Sequence, residues 1–186
     1  KRMKKIFFAL PLILLCLSSC SKDDELKRNI ELLRSKPVVL KTDSMKCFMN
    51  GKDTVVHIKH EALKYVIYTD AQSCVSCTLK NIHLWNEILD ESKQYGERLV
   101  FLFIFAPKQK DIHSLELTLK TYSPNCPVYI DTLNIFEKDN PNILSSKMLH
   151  TFLLDEKNQV LLVGNPLRNK KINKMFHDIM NGETKK

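Results

Sequence analysis

Two cysteines separated by two residues are the part of this sequence best suited to chemistry. They form the run Cys74-Val75-Ser76-Cys77, where a β-branched and aromatic segment, residues 64–69, turns into an amphipathic one. Thiols three positions apart in a regular helix have Cβ atoms about 5 to 6 Å apart, whereas a disulfide requires about 3.8 Å. The first cysteine must therefore leave helical geometry at the helix start, and the run predicts a redox-active pair there.

The position of this pair at a helix start distinguishes its two thiols. Unpaired N–H groups and the positive end of the helix dipole favour the thiolate of Cys74. We expect Cys74 to be the nucleophile that forms a mixed disulfide with a substrate, and Cys77, one turn inside and more buried, to be the thiol that resolves it. A purely structural disulfide, or half of a zinc site completed by His57 and His60, are the alternative interpretations.

Strand and helix patterns alternate after residue 60. The patterns predict strands at 37–40, 45–49, 54–56, 64–69, 99–105, 128–130, 148–154 and 160–164, and helices at 74–92, 111–122, 134–138 and 169–180. The last helix would point Ile172, Met175, Phe176 and Ile179 inward. Asn50-Gly51 predicts a two-residue hairpin turn. Alternation of this kind requires a parallel portion of sheet with helices on both faces.

The fold class follows from these elements. We expect an α/β fold of three layers, in which a mixed central sheet has helices on both faces. An N-terminal β-hairpin extension over residues 37–60 would precede the main domain at 61–182.

These elements and motifs resemble the thioredoxin fold, in its exported redoxin, TlpA-like branch of membrane-tethered proteins. The late stretch His150-Thr151-Phe152-Leu153-Leu154-Asp155, followed by a strand that ends in Gly164, matches that family's pattern as the CVSC run does. The resemblance implies a thiol-disulfide oxidoreductase that acts on protein disulfides and needs no cofactor. It also implies the reductase direction, with electrons from a membrane-bound thiol donor. It also implies substrate contacts at Val75, Ser76, Leu149 and Thr151.

The chain departs from the family pattern beside both cysteines and in the late loop. Ser73 and Ser76 replace the usual Trp and Pro, and His150 replaces a cis-proline. A cis bond before a non-proline residue costs about 3 to 4 kcal/mol, so we expect the Leu149-His150 bond to be trans. Because this position faces the cysteines in that fold, His150 could stabilise the Cys74 thiolate or shuttle its proton.

A second function class stays open at this point. Two thiols and the imidazole of His150 form a donor set suited to zinc or Cu(I). The alternative is therefore a thioredoxin-fold lipoprotein that binds a soft metal or a protein partner and performs no turnover.

The first twenty residues have the pattern of an export signal. Basic residues within 1–5 precede the apolar run 6–17, and Leu17-Ser18-Ser19-Cys20 resembles the lipobox of bacterial lipoproteins. A helix of this run reaches about 18 Å, too short for a hydrocarbon core of about 30 Å. We expect residues 1–19 to be removed, Cys20 to be lipidated and 20–36 to be a tether.

The acidic run 21–25 bears on localisation. It resembles the signal that sends some lipoproteins to the outer membrane, on its periplasmic side or at the cell surface. The same run is equally typical of a solvated linker.

Composition argues against other function classes. The 186 residues include 29 Lys and Arg against 21 Asp and Glu, and removal of 1–19 takes away four of the basic ones. The small remaining excess argues against nucleic acid as a partner, which requires a clustered basic surface. Four widely separated glycines cannot form a phosphate-binding loop.

Four further residues have more than one interpretation. Cys47 and Cys126 could pair in an oxidising compartment, or Cys126 could be a peripheral resolving thiol or simply buried. Asp70 and Asp131, at predicted strand ends, could accept a proton from Cys77 or cap a turn.

Overall fold

The computed structural model describes residues 24–121, 124–143 and 146–183. The predicted signal peptide, Cys20, the start of the acidic run and Tyr122 lie outside the described residues. Within them, the helices are α1 at 24–34, α2 at Val75–Lys80, α3 at Asn86–Ser92, α4 at Ile112–Thr121, α5 at Ile135–Asp139 and α6 at Lys170–Met180. The strands are β1 at Lys46–Met49, β2 at Lys52–Thr54, β3 at Leu63–Thr69, β4 at Leu99–Phe105, β5 at Val128–Ile130, β6 at Thr151–Leu154 and β7 at Val160–Val163.

The strands form one mixed sheet in the order β2-β1-β5-β4-β3-β6-β7. β3, β4 and β5 run parallel, β6 is antiparallel to β3, and β7 is antiparallel to β6. The hairpin of β1 and β2 joins the sheet through antiparallel pairing of β1 with β5. The expected mixed sheet with an N-terminal hairpin extension is confirmed.

The sequence of the central strand β4 is apolar at every position because both of its faces are buried. Phe101, Phe103 and Phe105 belong to a cluster on one face of the sheet, and Leu102 and Ile104 to a cluster on the other. A parallel strand covered on both faces has no side open to water, so the usual polar alternation is lost.

Helices cover both faces, as expected. The first-face cluster, which includes Phe103, receives apolar residues of α2, α3, α4 and α6, among them Leu115 and Phe176. The second-face cluster, which includes Leu102, receives Leu33 of α1 and Phe136 of α5. The predicted tether is therefore partly a helix packed on the domain. No helix in the described part of the chain is long and apolar enough to cross a membrane.

The prediction of one continuous helix over 74–92 was wrong, because the structure has two helices there. α2 ends at Lys80, a 3-10 turn follows at Ile82–Trp85, and α3 then begins. At the break, Asn81 has φ −98° and ψ 2° and its N–H is shared between two carbonyls. The ring of His83 contacts the Lys80 carbonyl at 2.7 Å, which takes that acceptor out of the helical ladder.

Three predicted strands were wrong in whole or in part. The strand expected at 54–56 lies at Lys52–Thr54 instead, and residues 55 and 56 form no strand. Residues 37–40 are extended but form no strand, because the backbone of Val39 bonds the side chain of Asn140 at 2.8 and 2.9 Å rather than a neighbouring strand. The predicted strand 148–154 begins only at Thr151, since Lys147–Leu149 is a 3-10 turn capped by Ser146.

One inward position on the last helix was also wrong. Met175 is 39% exposed, whereas Met180 is 1% exposed and packs in the first-face cluster with Phe176. Ile172 and Ile179 pack against this cluster as expected. The buried face of this helix therefore includes Met180 in place of Met175.

The predicted Asn50-Gly51 turn connects β1 and β2. Both residues have positive φ, 52° and 75°, as a type I′ turn requires. A Cβ on Gly51 would lie 2.8 Å from the carbonyl oxygen of Lys120. This glycine therefore serves both the turn and the contact of the hairpin with α4.

We expect Gly51→Ala to destabilise the fold by about 2 kcal/mol or more, because strain at positive φ adds to a backbone clash. Gly182→Ala is the matched control, since Gly182 has φ 76° with no heavy atom within 4 Å of the added Cβ. Urea unfolding of both variants measures the difference. Equal losses would show that the Lys120 contact contributes nothing.

Candidate active site

The CVSC run forms a disulfide where β3 leads into α2. Cys74 and Cys77 are bonded, with their Cα atoms 5.2 Å apart. Cys74 is the N-cap of α2, with φ −73° and ψ 94°, in the extended region. The expectation that the first cysteine leaves helical geometry is confirmed.

Polar groups surround the sulfur of Cys74. The backbone N–H of Cys77 donates a hydrogen bond to Cys74 Sγ at 3.2 Å, and Ser76 Oγ lies 3.4 Å from the same atom. Both are donors that would stabilise negative charge on this sulfur when the bond is reduced, because hydrogen bonds to the charged form favour it. Cys74 is therefore the cysteine whose thiolate the local structure favours.

The expected burial of Cys77 was wrong. Both cysteines are exposed, while Val75 and Leu79 on the same helix are buried. Cys77 is two positions from each of these inward residues, which places it on the opposite side of a helix. Both residues of the pair are therefore open to solvent.

Asp70 stabilises the turn that precedes Cys74. Its carboxylate accepts backbone N–H bonds from Gln72 at 3.1 Å and from Ser73 at 2.6 Å. Burial opposes ionisation of this carboxyl, but the bonds from Ser73 and the neighbouring His150 outweigh it and lower its pKa. Asp70 thus caps the turn that leads from β3 into the cysteine pair.

Asp131 also caps a turn. It is 2% exposed and accepts N–H bonds from Ile135 at 2.9 Å and Phe136 at 2.7 Å, at the start of α5. Both of its carboxylate oxygens are used in this way. For Asp70 and Asp131 the capping interpretation is confirmed.

His150 is a buried group in the loop before β6. It is 6% exposed, its ring centroid lies 5.1 Å from that of Tyr68, and its carbonyl accepts the Tyr68 N–H at 2.8 Å. Its Nε2 has no hydrogen-bond partner among the residues that the structure describes. Burial lowers the pKa of His150, although the charge of Asp70 opposes this.

The two cysteines and His150 do not form a hydrogen-bonded unit. No hydrogen bond joins His150 to Cys74 or Cys77 among the described residues. No peptide bond in the described ranges is cis, so the expected trans Leu149-His150 bond is confirmed. Nor does the described part of the chain contain a group of three or more His, Cys, Asp or Glu placed to hold a metal. A role for His150 in exchange stays a prediction.

The predicted substrate contacts divide by burial. Val75 and Leu149 are 8% and 0% exposed, so their side chains belong to the apolar clusters. Ser76 is exposed and Thr151 is half-buried. The direct contribution of these four residues to binding stays a prediction.

The two remaining described cysteines are separate buried thiols. Cys47 belongs to the second-face cluster and Cys126 to the first-face cluster, so the sheet lies between them and they are not bonded. Burial raises the pKa of both thiols. A high pKa and burial make a thiol unreactive, which leaves the simply buried interpretation for Cys126.

A groove lies between α2 and α4 beside the disulfide. It consists of two adjoining cavities of about 250 and 400 Å³, which share Ser76, Leu79 and Thr118. Cys74 lines the smaller cavity together with Asp111 and other residues near the start of α4.

Sequence reasoning missed the α4 side of this groove. The order of strands and helices in the sequence could have predicted it. Two successive right-handed crossovers in the same direction place both of their helices on one face of the sheet.

Comparisons with known proteins concern the fold. No protein-family model matches the chain, and no curated protein matches it in sequence. Among solved structures, it is similar to peroxiredoxin Q from Xanthomonas campestris, with 14% identity, a TM-score of 0.49 and coverage of 80% of this chain and 100% of that one.

Two further solved structures are similar at the same level. One is an uncharacterized thioredoxin-like protein from Porphyromonas gingivalis, with 10% identity, a TM-score of 0.47 and coverage of 78% and 94%. The other is a thiol-disulfide oxidoreductase from Bacteroides fragilis, with 10% identity, a TM-score of 0.44 and coverage of 75% and 99%. The strand order of this chain, with parallel β3 and β4, antiparallel β6 and helices on both faces, is that of the expected thioredoxin-like fold.

We expect folding stability to fall as the pH drops below about 6.5, the usual pKa of histidine. The folded-state pKa of His150 is lowered, so the unfolded chain binds the proton first and acidification favours unfolding. Asp70, whose pKa is also lowered, adds a loss only at more acid pH, below its model-compound value of 3.8.

Urea unfolding between pH 5 and 7.5 measures how the free energy of unfolding changes with pH. His150→Gln should flatten this slope. His57→Gln, at an exposed position, should leave the slope as in the parent chain. An unchanged slope in the His150 variant would contradict the assignment.

Proposed function

We propose that this protein is a thiol-disulfide oxidoreductase that acts on protein disulfides through Cys74 and Cys77. The observation that carries the proposal is the exposed disulfide at the start of α2, whose Cys74 sulfur accepts a backbone N–H bond. A buried structural disulfide would leave neither sulfur within reach of a partner. The thioredoxin-like fold is consistent with this chemistry but does not by itself define it.

In the reductase direction, the reaction begins from the dithiol form. The Cys74 thiolate attacks one sulfur of the substrate disulfide and forms a mixed disulfide, and the other substrate sulfur leaves as a thiolate and takes up a proton. The Cys77 thiolate then attacks Cys74 Sγ, which restores the disulfide of the structure and releases the second substrate thiol. Two electrons pass to the substrate, and a membrane-bound dithiol donor returns the protein to its reduced form.

The proposal includes a lipid anchor at Cys20 in the cell envelope, on the outer membrane. Its support is the sequence pattern of residues 1–20 and the acidic run that follows. An oxidising compartment of this kind is also where disulfides form and need editing.

We expect Cys77→Ser to accumulate a mixed disulfide on Cys74, because the attack that releases the substrate is lost. Cys74→Ser should form none and should lose turnover completely. Mass spectrometry of the reduced variants after mixing with a disulfide-bonded protein measures the adduct. Cys126→Ala is the matched control at a buried thiol and should react as the parent does.

The reduction potential of the pair decides the direction of the reaction. A value between about −120 and −270 mV lies in the range of catalytic dithiols, with oxidants at the upper end and reductants at the lower end. A pair that resists reduction below about −300 mV would be a structural disulfide, and the proposal would fail.

We expect Cys20→Ser to move the protein from the membrane fraction to the soluble fraction, because the thiol that would carry the lipid is gone. Incorporation of labelled fatty acid should be lost in the same variant. A parent chain that incorporates no lipid would remove the anchor from the proposal and leave the exchange chemistry as it stands.

A further inference from the structure

The groove between α2 and α4 has a wall that includes the reactive sulfur. On the α2 side its lining includes Cys74, Ser76 and Leu79, and on the α4 side Ser114 and Thr118. The two α4 positions are four residues apart, so they share one face of that helix. The groove therefore begins at Cys74 and follows the two helices away from it.

We propose that an extended segment of the substrate protein binds in this groove, with its disulfide sulfur at Cys74. This inference rests on the proposed function and names the class of substrate that it serves. Leu149 lies just before β6 and Thr151 begins it, and β6 pairs with β3 on one side. On the other side β3 pairs with β4, which leads into α4. Substrate in the groove thus approaches the cysteine pair from the β4 side.

Charged residues stand at the two ends of the groove. Asp111 lines the cavity that contains Cys74, and Lys80 lines the other cavity with His83. Neither Asp111 nor Lys80 forms an ion pair with another residue of the described ranges. The groove therefore has an unpaired negative charge near the reactive sulfur and an unpaired positive charge further along.

The length of the groove sets the spacing of the substrate's charges. Lys80 follows Cys74 by six positions, about 9 Å along a helix at about 1.5 Å per residue. An extended chain covers that distance in about three residues at about 3.3 Å each.

The middle of the groove is lined by the buried side chain of Leu79. The substrate class is therefore a segment with an acidic residue about three positions from its cysteine and an apolar residue between them. Next to the substrate cysteine, a basic or neutral residue is favoured because Asp111 would repel an acidic one.

The reaction in the groove is the exchange already described. The Cys74 thiolate forms the mixed disulfide with the substrate cysteine, the former partner sulfur of that cysteine leaves as a thiol, and Cys77 resolves the adduct. The two electrons come from the Cys74–Cys77 dithiol, so one round of substrate reduction needs no further reagent, and the dithiol donor described above then reduces the pair again.

Two peptides test the charge preference. Each has one cysteine linked by a disulfide to glutathione, and they differ only in carrying Glu or Lys three positions before and after it. The pre-reduced full chain should react about threefold faster with the Glu peptide, the size expected of an exposed ion pair. Lys80→Glu, a change at an exposed position, should reverse the preference. An unchanged ratio of rate constants in this variant would overturn the proposal.

A second pair of variants tests occupancy of the groove. Thr118→Trp should slow reaction with both peptides by about tenfold and slow reaction with glutathione disulfide much less, because the small disulfide needs only access to the sulfur of Cys74. His113→Trp, at an exposed position of α4 that does not line the groove, should change neither. Equal rates in the two variants, or equal slowing of Thr118→Trp toward peptides and glutathione disulfide, would place the substrate elsewhere.

The two proposals fail in different ways. If the parent chain does not react with glutathione disulfide at all, the oxidoreductase function itself fails. If it reacts but shows no charge preference and no effect of Thr118→Trp, the function stands and the groove is not its substrate site.

Discussion

The requirement that the central parallel strands be covered on both faces determines most of this structure. Parallel backbone pairing leaves no polar side for water, so β3 and β4 must bury apolar side chains above and below. The crossover helices cover the first face. The second face receives α5, the extended segment around Val38 and the helix α1, whose Leu33 is buried there. Segments that precede the main domain are thereby part of its core.

The same arrangement separates the exposed cysteines from the buried ones. The two cysteines at the edge of the sheet are exposed and bonded to each other, while Cys47 and Cys126 are enclosed in the clusters on either side of it. Burial raises the pKa of the enclosed thiols, so they do not compete as nucleophiles. Under the proposed function, exchange would be confined to the exposed pair without the removal of the other cysteines.

Local patterns in the sequence were sufficient where the physics is local. The all-apolar run of β4, the Asn50-Gly51 turn and the change of φ/ψ at Cys74 each follow from a few neighbouring residues, and all three are found. The break at Asn81 depends on a side chain of the next turn reaching the Lys80 carbonyl, which periodicity does not reveal. The exposure of Cys77 and the α4 wall of the groove depend on how α2 and α4 lie on the sheet, which no local pattern contains.

The packing of α1 has a consequence for how far the molecule can travel. Three residues lie between Cys20 and the first described residue of α1 in the sequence, and an extended chain spans at most about 3.6 Å per residue. If Cys20 carries the proposed lipid, four Cα–Cα steps join it to residue 24, and the chain between them reaches at most about 14 Å. The domain would search a thin layer next to the bilayer surface, and only partners in that layer could meet it.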